Sequence, residues 1–242
     1  MTGSNIKFQD FSAKLPEENI LFEDNHIIIV NKLPSQIVQA DKTGDTTLAD
    51  LVKEYIKLKY NKSGEVFLGV VHRLDRPVSG AVIFARTSKS LTRLNALIKN
   101  REVKKTYWAV VKNKPPHDTD TLVNYLRRDE AKNKSFLTGE NNKNAQKAIL
   151  SYTLLACSDS YYLLEIDLET GRHHQIRAQL AGIGCPIKGD LKYGFSRSNT
   201  GGSIHLHARK LHFTHPVSLR TVSVIADTPH DPVWNYFNLK FK

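Results

Sequence analysis

Three clusters of polar side chains in this sequence have residue types and spacing that could support chemistry. The first lies between two apolar runs and contains His72, Arg73, Asp75 and Arg76. A turn held by two strands often aims functional groups, and the neighbouring cations favour an ionised Asp75. No second carboxylate stands beside Asp75, so the acid/base pair of a sugar-cleaving enzyme is missing here. A solvated surface turn is the alternative interpretation of the same residues.

The second cluster follows Thr170-Gly171 and contains Arg172, His174 and Arg177. We expect Thr170-Gly171 to open a helix over residues 172–181. Arg172 then occupies the first turn, where a positive charge opposes the helix dipole and so indicates an external anion. His174 and Arg177 are three residues apart and share one face of such a helix. A solvated basic helix is the alternative.

The third cluster consists of His205, His207, His212 and His215. Their spacing matches no standard set of metal ligands, and residues 205–216 include no Cys, Asp or Glu. We therefore expect packed or hydrogen-bonded histidines and disfavour a metal hydrolase. The sequence also lacks the glycine-rich motifs of dinucleotide-binding and P-loop proteins and the serine nucleophile elbow.

The overall charge indicates a polyanionic partner. The chain has 242 residues, and its 35 Lys and Arg against 24 Asp and Glu give a net charge of +11. Nucleic acid or an anionic membrane surface fits this excess, although a protein can also simply be basic. No apolar run approaches the ~20 residues that a membrane span needs. Cys157 and Cys185 are too few to staple the fold, which predicts a reducing, cytoplasmic setting.

The elements that must position these clusters mix helices and strands. Apolar spacing predicts helices over residues 47–60 and 88–100, the first opened by a capping box of Thr47 and Asp50. Apolar runs predict strand hairpins around Asp24-Asn25 and Ser158-Asp159, with Cys157 in the core, and further short strands before and after each cluster. Residues 112–147 are the most polar stretch, and we expect them to form a long surface excursion. These patterns predict an α+β domain on a largely antiparallel or mixed sheet.

Six blocks in order along residues 20–230 resemble the RluA family of RNA pseudouridine synthases. The block His72-Arg73-Leu74-Asp75 with Ser79-Gly80 resembles the family's signature. The other five are Glu23 to Lys32, Lys104 to Ala109, Gly171 to Arg177, Cys185 to Asp190 with Tyr193-Gly194, and Leu206 to Arg209 with Phe213 to Pro216. The resemblance implies the pseudouridine synthase fold, a mixed, mostly antiparallel sheet with flanking helices and a central cleft. It implies isomerisation of uridine in RNA with no cofactor and no metal.

The resemblance also implies roles for individual residues. Asp75 is the catalytic aspartate, and Arg177 pairs with it, in a bidentate geometry that holds the carboxylate ionised and aimed. Tyr107 stacks on the uracil, and Ile176 walls the uracil pocket. Arg73 fills the space that the flipped nucleotide leaves. The expected RNA-binding residues are Arg73, Arg76, Arg172, His174, Lys188 and Lys192.

Two departures from the family pattern qualify this expectation. Val78 stands where the family usually has Thr, and we expect activity to survive because the two side chains have the same shape. We expect residues 1–19 to form an arm and residues 20–242 the catalytic domain. About 19 residues are too few for the accessory RNA-binding domain that many members carry, so we expect the surface of the catalytic domain to bind the RNA.

The expected protein is a cytoplasmic monomer that acts on ribosomal or transfer RNA. The alternative is a catalytically silent RNA-binding protein of the same fold.

Overall fold

The computed structural model describes residues 14–41 and 43–241, and these residues form one eleven-stranded sheet and four α-helices. The strands are β1 (Ile20–Glu23), β2 (Ile27–Lys32), β3 (Gly69–Val70), β4 (Ser79–Ala85), β5 (Lys104–Val111), β6 (Thr119–Asp129), β7 (Lys134–Thr138), β8 (Gln146–Cys157), β9 (Tyr162–Leu168), β10 (Leu206–Thr214) and β11 (Thr221–Ile225). The helices are α1 (Leu48–Lys59), α2 (Ser88–Lys99), α3 (Gln175–Gly182) and α4 (Pro232–Asn238). No helix of the described residues is long and apolar enough to cross a membrane.

The strands follow the spatial order β1-β2-β4-β10-β5-β9-β8-β6-β7, with β3 beside β4 and β11 beside β10. Among the described strands, β4 and β10 form a parallel pair and the other pairs are antiparallel. The predicted α+β class and mostly antiparallel mixed sheet are therefore confirmed. The parallel pair joins the start of β4 to the start of β10 at the middle of the sheet.

Helices α1 and α2 cover opposite faces of strands β2 and β4. Helix α1 begins as predicted, because the Thr47 hydroxyl accepts from the Asp50 amide at 3.0 Å and the Asp50 carboxylate accepts from the Thr47 amide at 3.1 Å. Its apolar side packs with alternate residues of β2 and β4 such as Ile28, while Leu94 of α2 packs with the intervening residues such as Ile29. Strand β2 is therefore buried on both faces, which makes this part of the sheet a rigid support.

Helix α3 begins at Gln175, so the predicted start at Arg172 is wrong. The backbone of His174 has a left-handed conformation with φ of 53°, which a right-handed helix does not contain. The Arg172 amide instead donates to the Gln175 side chain at 3.0 Å, and this bond fixes a turn ahead of the helix. Arg172 therefore precedes the helix, and the argument from the helix dipole does not apply to it.

The polar stretch 112–147 is part of the sheet, so the predicted surface excursion is wrong. It contains all of β6 and β7 at one edge, where Leu122 and Leu126 are the buried residues of β6 and the other residues of that strand are partly or fully exposed. An edge strand with one solvated face carries many polar residues, which hid the alternation of buried and exposed side chains in the sequence.

Two further predictions concern single positions and the chain start. Cys157, predicted to be core, is exposed at the end of β8. The predicted N-terminal arm falls mostly on residues 1–13, outside the described part, while Leu15 is buried in the main core.

Gly80 is required where β4 meets β10. Its φ is +117°, and a Cβ added there would lie 2.4 Å from the Ala208 carbonyl oxygen and 2.5 Å from the Ala208 nitrogen. Both contacts are with backbone of the paired strand, which cannot move without breaking the pairing. The Ser79-Gly80 pair therefore marks a close approach of two strands four to five residues after Asp75.

We expect Gly80→Ala to lower the free energy of unfolding by about 3 kcal/mol or more, because backbone strain and overpacking add. Urea unfolding followed by circular dichroism measures the change. Gly64→Ala is the matched control, since a Cβ at Gly64 meets nothing within 4 Å. Equal stability of the two variants would contradict the close approach.

Candidate active site

A cleft of about 1090 Å³ opens over the middle of the sheet. It is lined by the turn before β4, the start of β5, the segment from β9 into α3, and β10. Seven of the sequence-predicted site residues line it: Arg73, Asp75, Tyr107, Arg172, His174, Ile176 and Arg177. Arg76, Lys188 and Lys192 do not line it. The fold thus gathers most of the predicted site from segments that are far apart in the sequence.

Asp75 is a partly accessible carboxylate of this cleft, with its side chain 30% exposed. A tight turn presents it, in which the Val78 amide donates to the Asp75 carbonyl at 3.0 Å. Arg177 Nη1 donates to Asp75 Oδ2 at 3.0 Å. Arg177 therefore binds one oxygen of the Asp75 carboxylate, and the carboxylate remains partly open to the cleft.

Arg177 makes its bidentate pair with Asp190, so the predicted bidentate pair with Asp75 is wrong. Its Nε donates to Asp190 Oδ2 at 2.7 Å and its Nη2 to Asp190 Oδ1 at 2.8 Å, which leaves Nη1 for Asp75. Burial opposes the charge of Arg177, but the hydrogen bonds and negative charges of Asp190 and Asp75 outweigh it, and the pKa of Arg177 lies above its ordinary value. Asp190 thus fixes the guanidinium that orients Asp75.

His174 is buried against the same carboxylate, with Nε2 3.4 Å from Asp75 Oδ2. Its Nδ1 lies 3.0 Å from the Tyr193 hydroxyl, and its ring stacks on His173 at 3.8 Å between centroids. Burial, reinforced by the charge of Arg177, lowers the pKa of His174 to about 2. The imidazole is therefore neutral at physiological pH, and its position suits orienting Asp75 better than pairing with a phosphate.

Tyr107 and Ile176 form an apolar wall of the cleft. Tyr107 lies on β5 between Ala208 of β10 and Ile166 of β9, and Ile176 lies in the first turn of α3. Both are largely buried, at 7% and 5% exposure. Burial, reinforced by the charge of Asp75, raises the pKa of Tyr107 above its ordinary value. The phenol therefore stays protonated beside the carboxylate.

Comparison with known proteins assigns the chain to a family. The family model for RNA pseudouridylate synthase matches residues 26–182, which is more than half of the chain. The chain belongs to this family. Enzymes of the family convert uridine to pseudouridine in RNA, so the chain is an isomerase of RNA, and the alternative of a catalytically silent RNA-binding protein is not supported.

Individual relatives agree with this assignment and with the resemblance to the RluA family. An uncharacterized RNA pseudouridine synthase of Bacillus subtilis, YhcT, is 32% identical over 235 residues, which cover 94% of this chain and 75% of that protein. Ribosomal large subunit pseudouridine synthase D of Zymomonas mobilis is 29% identical over 222 residues, covering 88% and 69%. The structure of human RNA pseudouridylate synthase domain containing 4 matches with a TM-score of 0.75 at 24% identity, covering 92% and 93% of the two chains. This match confirms the pseudouridine synthase fold.

Lys32 supports the turn that carries Asp75 and was missed as a residue of this candidate site. Its ammonium is fully buried and donates to the carbonyls of Val78 at 2.5 Å, Leu33 at 3.0 Å and Arg76 at 3.2 Å. Burial lowers the pKa of Lys32 to about 7, although the charge of Asp75 opposes this effect. The signal in the sequence was a lysine at the end of an apolar run. Val78 contributes its carbonyl to this arrangement while its side chain is buried.

Three of the four histidines are packed or hydrogen-bonded, as predicted: His205, His207 and His215 are buried, whereas His212 is exposed on β10. His207 Nδ1 lies 2.9 Å from the Ser79 hydroxyl, and its Nε2 lies 3.0 Å from the Ala226 carbonyl. His205 stacks on Trp234 at 5.1 Å. Within residues 14–41 and 43–241, no group of three His, Cys, Asp or Glu side chains is arranged to hold a metal ion. His207 therefore links Ser79, which follows the turn that carries Asp75, to strand β10.

The cleft walls carry more cations than the sequence patterns indicated. Besides the predicted arginines, the lining includes Arg101, Lys104, Lys105, Arg128 and Lys210, against the carboxylates Asp75, Asp167 and Glu169. Lys104 and Lys105 were visible in a family block but carried no assigned role. The predicted RNA-binding residues outside the cleft have other partners: Arg76 pairs with Asp45, Lys188 donates to Asn199, and Lys192 donates to the Asn133 carbonyl.

The buried imidazoles predict a loss of stability in acid. Burial lowers the pKa of His174 to about 2, that of His72 to about 3 and that of His207 to about 4. All three titrate near 6.5 in the unfolded chain, so unfolding takes up at least three protons when the pH lies between 4 and 6.5. The free energy of unfolding should therefore fall as the pH drops from 6.5 to 4.5, by up to about 4 kcal/mol per pH unit.

Urea unfolding at pH 4.5, 5.5 and 6.5 measures this dependence. His207→Asn removes one of these three titrating groups, so its slope should be smaller than that of the unmodified protein by about 1.4 kcal/mol per pH unit. Identical slopes for both proteins would show that His207 is not kept neutral by the fold.

Proposed function

We propose that Asp75, Tyr107 and Arg177 form the catalytic centre with which this pseudouridine synthase isomerises uridine in ribosomal RNA. The observation that carries the proposal is the placement of Asp75. Its carboxylate is hydrogen-bonded by a buried, ion-paired arginine, faces a cation-lined cleft and stands beside the wall formed by Tyr107 and Ile176. Ribosomal RNA is the preferred substrate class because several relatives are ribosomal large subunit synthases.

The cleft suits a nucleotide that has left its stack. At about 1090 Å³ it exceeds the volume of common small-molecule sites, and a flipped uracil can lie against the wall of Tyr107 and Ile176. Unstacking costs a few kcal/mol, which contacts in the pocket must offset. Arg73 is exposed at the rim and is placed to occupy the space left in the RNA. Arg172 and the lysines of the walls supply charge for the flanking phosphates.

The reaction then breaks the bond between N1 and C1′, turns the uracil, and forms a bond between C5 and C1′. The proton lost from C5 is balanced by the one gained at N1, so no atom enters or leaves overall. Asp75 acts at the reacting nucleotide, with Arg177 and His174 fixing its carboxylate. Tyr107 supports the ring with its face, and its protonated hydroxyl is available for a proton-transfer step. We propose residues 20–242 as the unit that performs this reaction.

Incubation with transcripts of ribosomal RNA and transfer RNA, followed by mapping of carbodiimide-dependent stops, tests the proposal. We expect new stops at defined uridines of ribosomal RNA, and none with Asp75→Ala. Stops confined to transfer RNA would overturn the substrate class, and no stops in either RNA would overturn the catalytic assignment.

We further propose that the protein is a cytoplasmic monomer. The unpaired thiols of Cys157 and Cys185 fit a reducing compartment. Cell fractionation and size-exclusion chromatography with light scattering test these two points.

A further inference from the structure

A second cavity of about 470 Å³ lies at the end of β5 away from Lys104. Its lining comprises Lys112, Tyr161, Lys188, Phe195, Ser196, Arg197, Ser198 and Asn199, none of which lines the active-site cleft. We call this cavity the strand-end pocket. Lys112 is five residues beyond Tyr107, so the pocket lies about 16 Å along the sheet from the uracil wall.

The strand-end pocket is positively charged. It contains the cations Lys112, Lys188 and Arg197, and no carboxylate belongs to its lining. Within the described part of the chain, no carboxylate oxygen lies within 4.0 Å of the charged atoms of Lys112 or Arg197. Burial lowers the pKa of Lys188, although the negative charge of Asp231 opposes the effect. Such a concentration of unneutralised charge favours an anion.

The floor of the pocket is fixed before any ligand arrives. Lys188 Nζ donates to Asn199 Oδ1 at 2.7 Å and stands 5.7 Å from the centroid of the Tyr161 ring. The Asn199 amide nitrogen lies 2.9 Å from His205 Nδ1. Gly189 has φ of +87°, and a Cβ there would lie 2.4 Å from Asn199, so the glycine permits this close packing. The fold therefore holds the side chains of Lys188 and Asn199 in fixed positions at the floor of the pocket.

The aromatic members add a second kind of contact. Tyr161 and Phe195 are both partly exposed in the lining. Flat rings next to unpaired cations are the combination that holds single-stranded nucleic acid, because bases stack on the rings while phosphates bind the cations. The volume lies within the range of sites for one small ligand. A single nucleotide fits this chemistry better than a free metabolite with no sugar-phosphate backbone.

The pocket is linked to the active site through a short turn. The Asp190 amide donates to the Ile187 carbonyl at 3.0 Å, so residues 187–190 form a turn that carries Lys188 into the pocket and Asp190 onto Arg177. Two residues of chain span at most about 7 Å, so the turn couples the floor of the pocket to Arg177. The pocket itself lies about 16 Å from the uracil wall, a distance that a few nucleotides of one RNA strand can span.

We propose that the strand-end pocket binds a second, unpaired nucleotide of the same RNA that places its uridine at Asp75. This inference rests on the proposed function, since it assigns the second nucleotide to the RNA substrate. The pocket holds the RNA through ring stacking and phosphate contacts and takes no part in bond making. It therefore favours substrates with an unpaired nucleotide a short distance from the target uridine.

Binding of a ribosomal RNA transcript in which the unmodified protein forms pseudouridine, measured with the double variant Lys112→Ala/Arg197→Ala, tests the proposal. Both side chains are exposed, so their removal leaves the fold intact. The dissociation constant is measured in an Asp75→Asn background, in which turnover cannot interfere, between 50 and 300 mM salt. We expect Kd to rise roughly 10-fold and the slope of log K against log salt to fall by about 1 to 2, as two phosphate contacts are lost. The control, Lys57→Ala/Lys62→Ala, removes two exposed lysines outside both cavities and should bind like the unmodified protein.

Ultraviolet cross-linking supplies an independent readout, since stacked rings cross-link to bases. We expect cross-linked peptides that contain Tyr161 or Phe195 in addition to Tyr107. If the double variant binds like the control, or if cross-links avoid Tyr161 and Phe195, the inference is wrong. Pseudouridine formation by the unmodified protein is measured in parallel, so a failure of the proposed function appears as absent product whatever the binding result.

Discussion

Replacing Asp75 with Asn should reduce pseudouridine formation by roughly 10³-fold or more, which is the scale on which catalytic side chains act. The amide keeps the shape of the carboxylate and can still accept from Arg177, so the turn and the ion pair of Arg177 with Asp190 stay intact. What is lost is the negative charge that Asp75 places next to Tyr107 in the cleft. Single-turnover assays with saturating RNA measure the loss directly.

RNA affinity separates this effect from a folding defect. The Asp75→Asn variant should bind RNA within about threefold of the unmodified protein, because the phosphate contacts are unchanged. Asp159→Asn, an exposed aspartate outside both cavities, should keep full activity. An Asp75→Asn enzyme with more than a tenth of normal turnover would remove Asp75 from the catalytic role.

Replacing Asp190 with Ala should lower the free energy of unfolding by about 3–5 kcal/mol, because it leaves the buried Arg177 without its bidentate partner. Asp190 is 1% exposed and Arg177 is 5% exposed, so water cannot replace the lost hydrogen bonds. Turnover should fall too, since the guanidinium that orients Asp75 is no longer fixed. Urea unfolding gives the stability change, and single-turnover rates below the unfolding range give the catalytic change.

Asp45→Ala is the matched control for Asp190. Asp45 also pairs with an arginine, Arg76, but both side chains of that pair are 46% exposed. Solvent screens such a pair, and its loss should cost less than about 1 kcal/mol. Similar costs at Asp45 and Asp190 would show that burial does not set the value of the Arg177 pair.

The sequence predicted those parts of the site that depend on local pattern. Helices α1 and α2 follow apolar spacing with a capping residue at Thr47, and their ends fall within one residue of expectation. The segment before β4 places Asp75 on a turn, as a polar run between apolar runs indicates. The gathering of Asp75, Tyr107 and Arg177 came from the resemblance to the family, because spacing along the chain says nothing about which distant segments meet.

Other features depended on tertiary contacts that no local pattern carries. The start of α3 is set by the left-handed backbone of His174 and by the bond between Arg172 and Gln175, which override helical periodicity. Strands β6 and β7 are polar because they form an edge of the sheet, so composition resembled that of a loop. The bidentate partner of Arg177 is Asp190, whose side chain arrives from the turn after α3.

The parallel pairing of β4 with β10 has a consequence for the order in which this enzyme matures. The contact between Ser79 and His207 joins residues 128 apart in the chain, and that between Asp75 and Arg177 joins residues 102 apart. Contacts of such long range form slowly, because a large loop must close before they stabilise anything. During synthesis, the segment around Asp75 leaves the ribosome well before its partners exist. Catalytic competence should therefore arise as one of the last events of folding, and a nascent chain that lacks β10 should carry Asp75 without an active site.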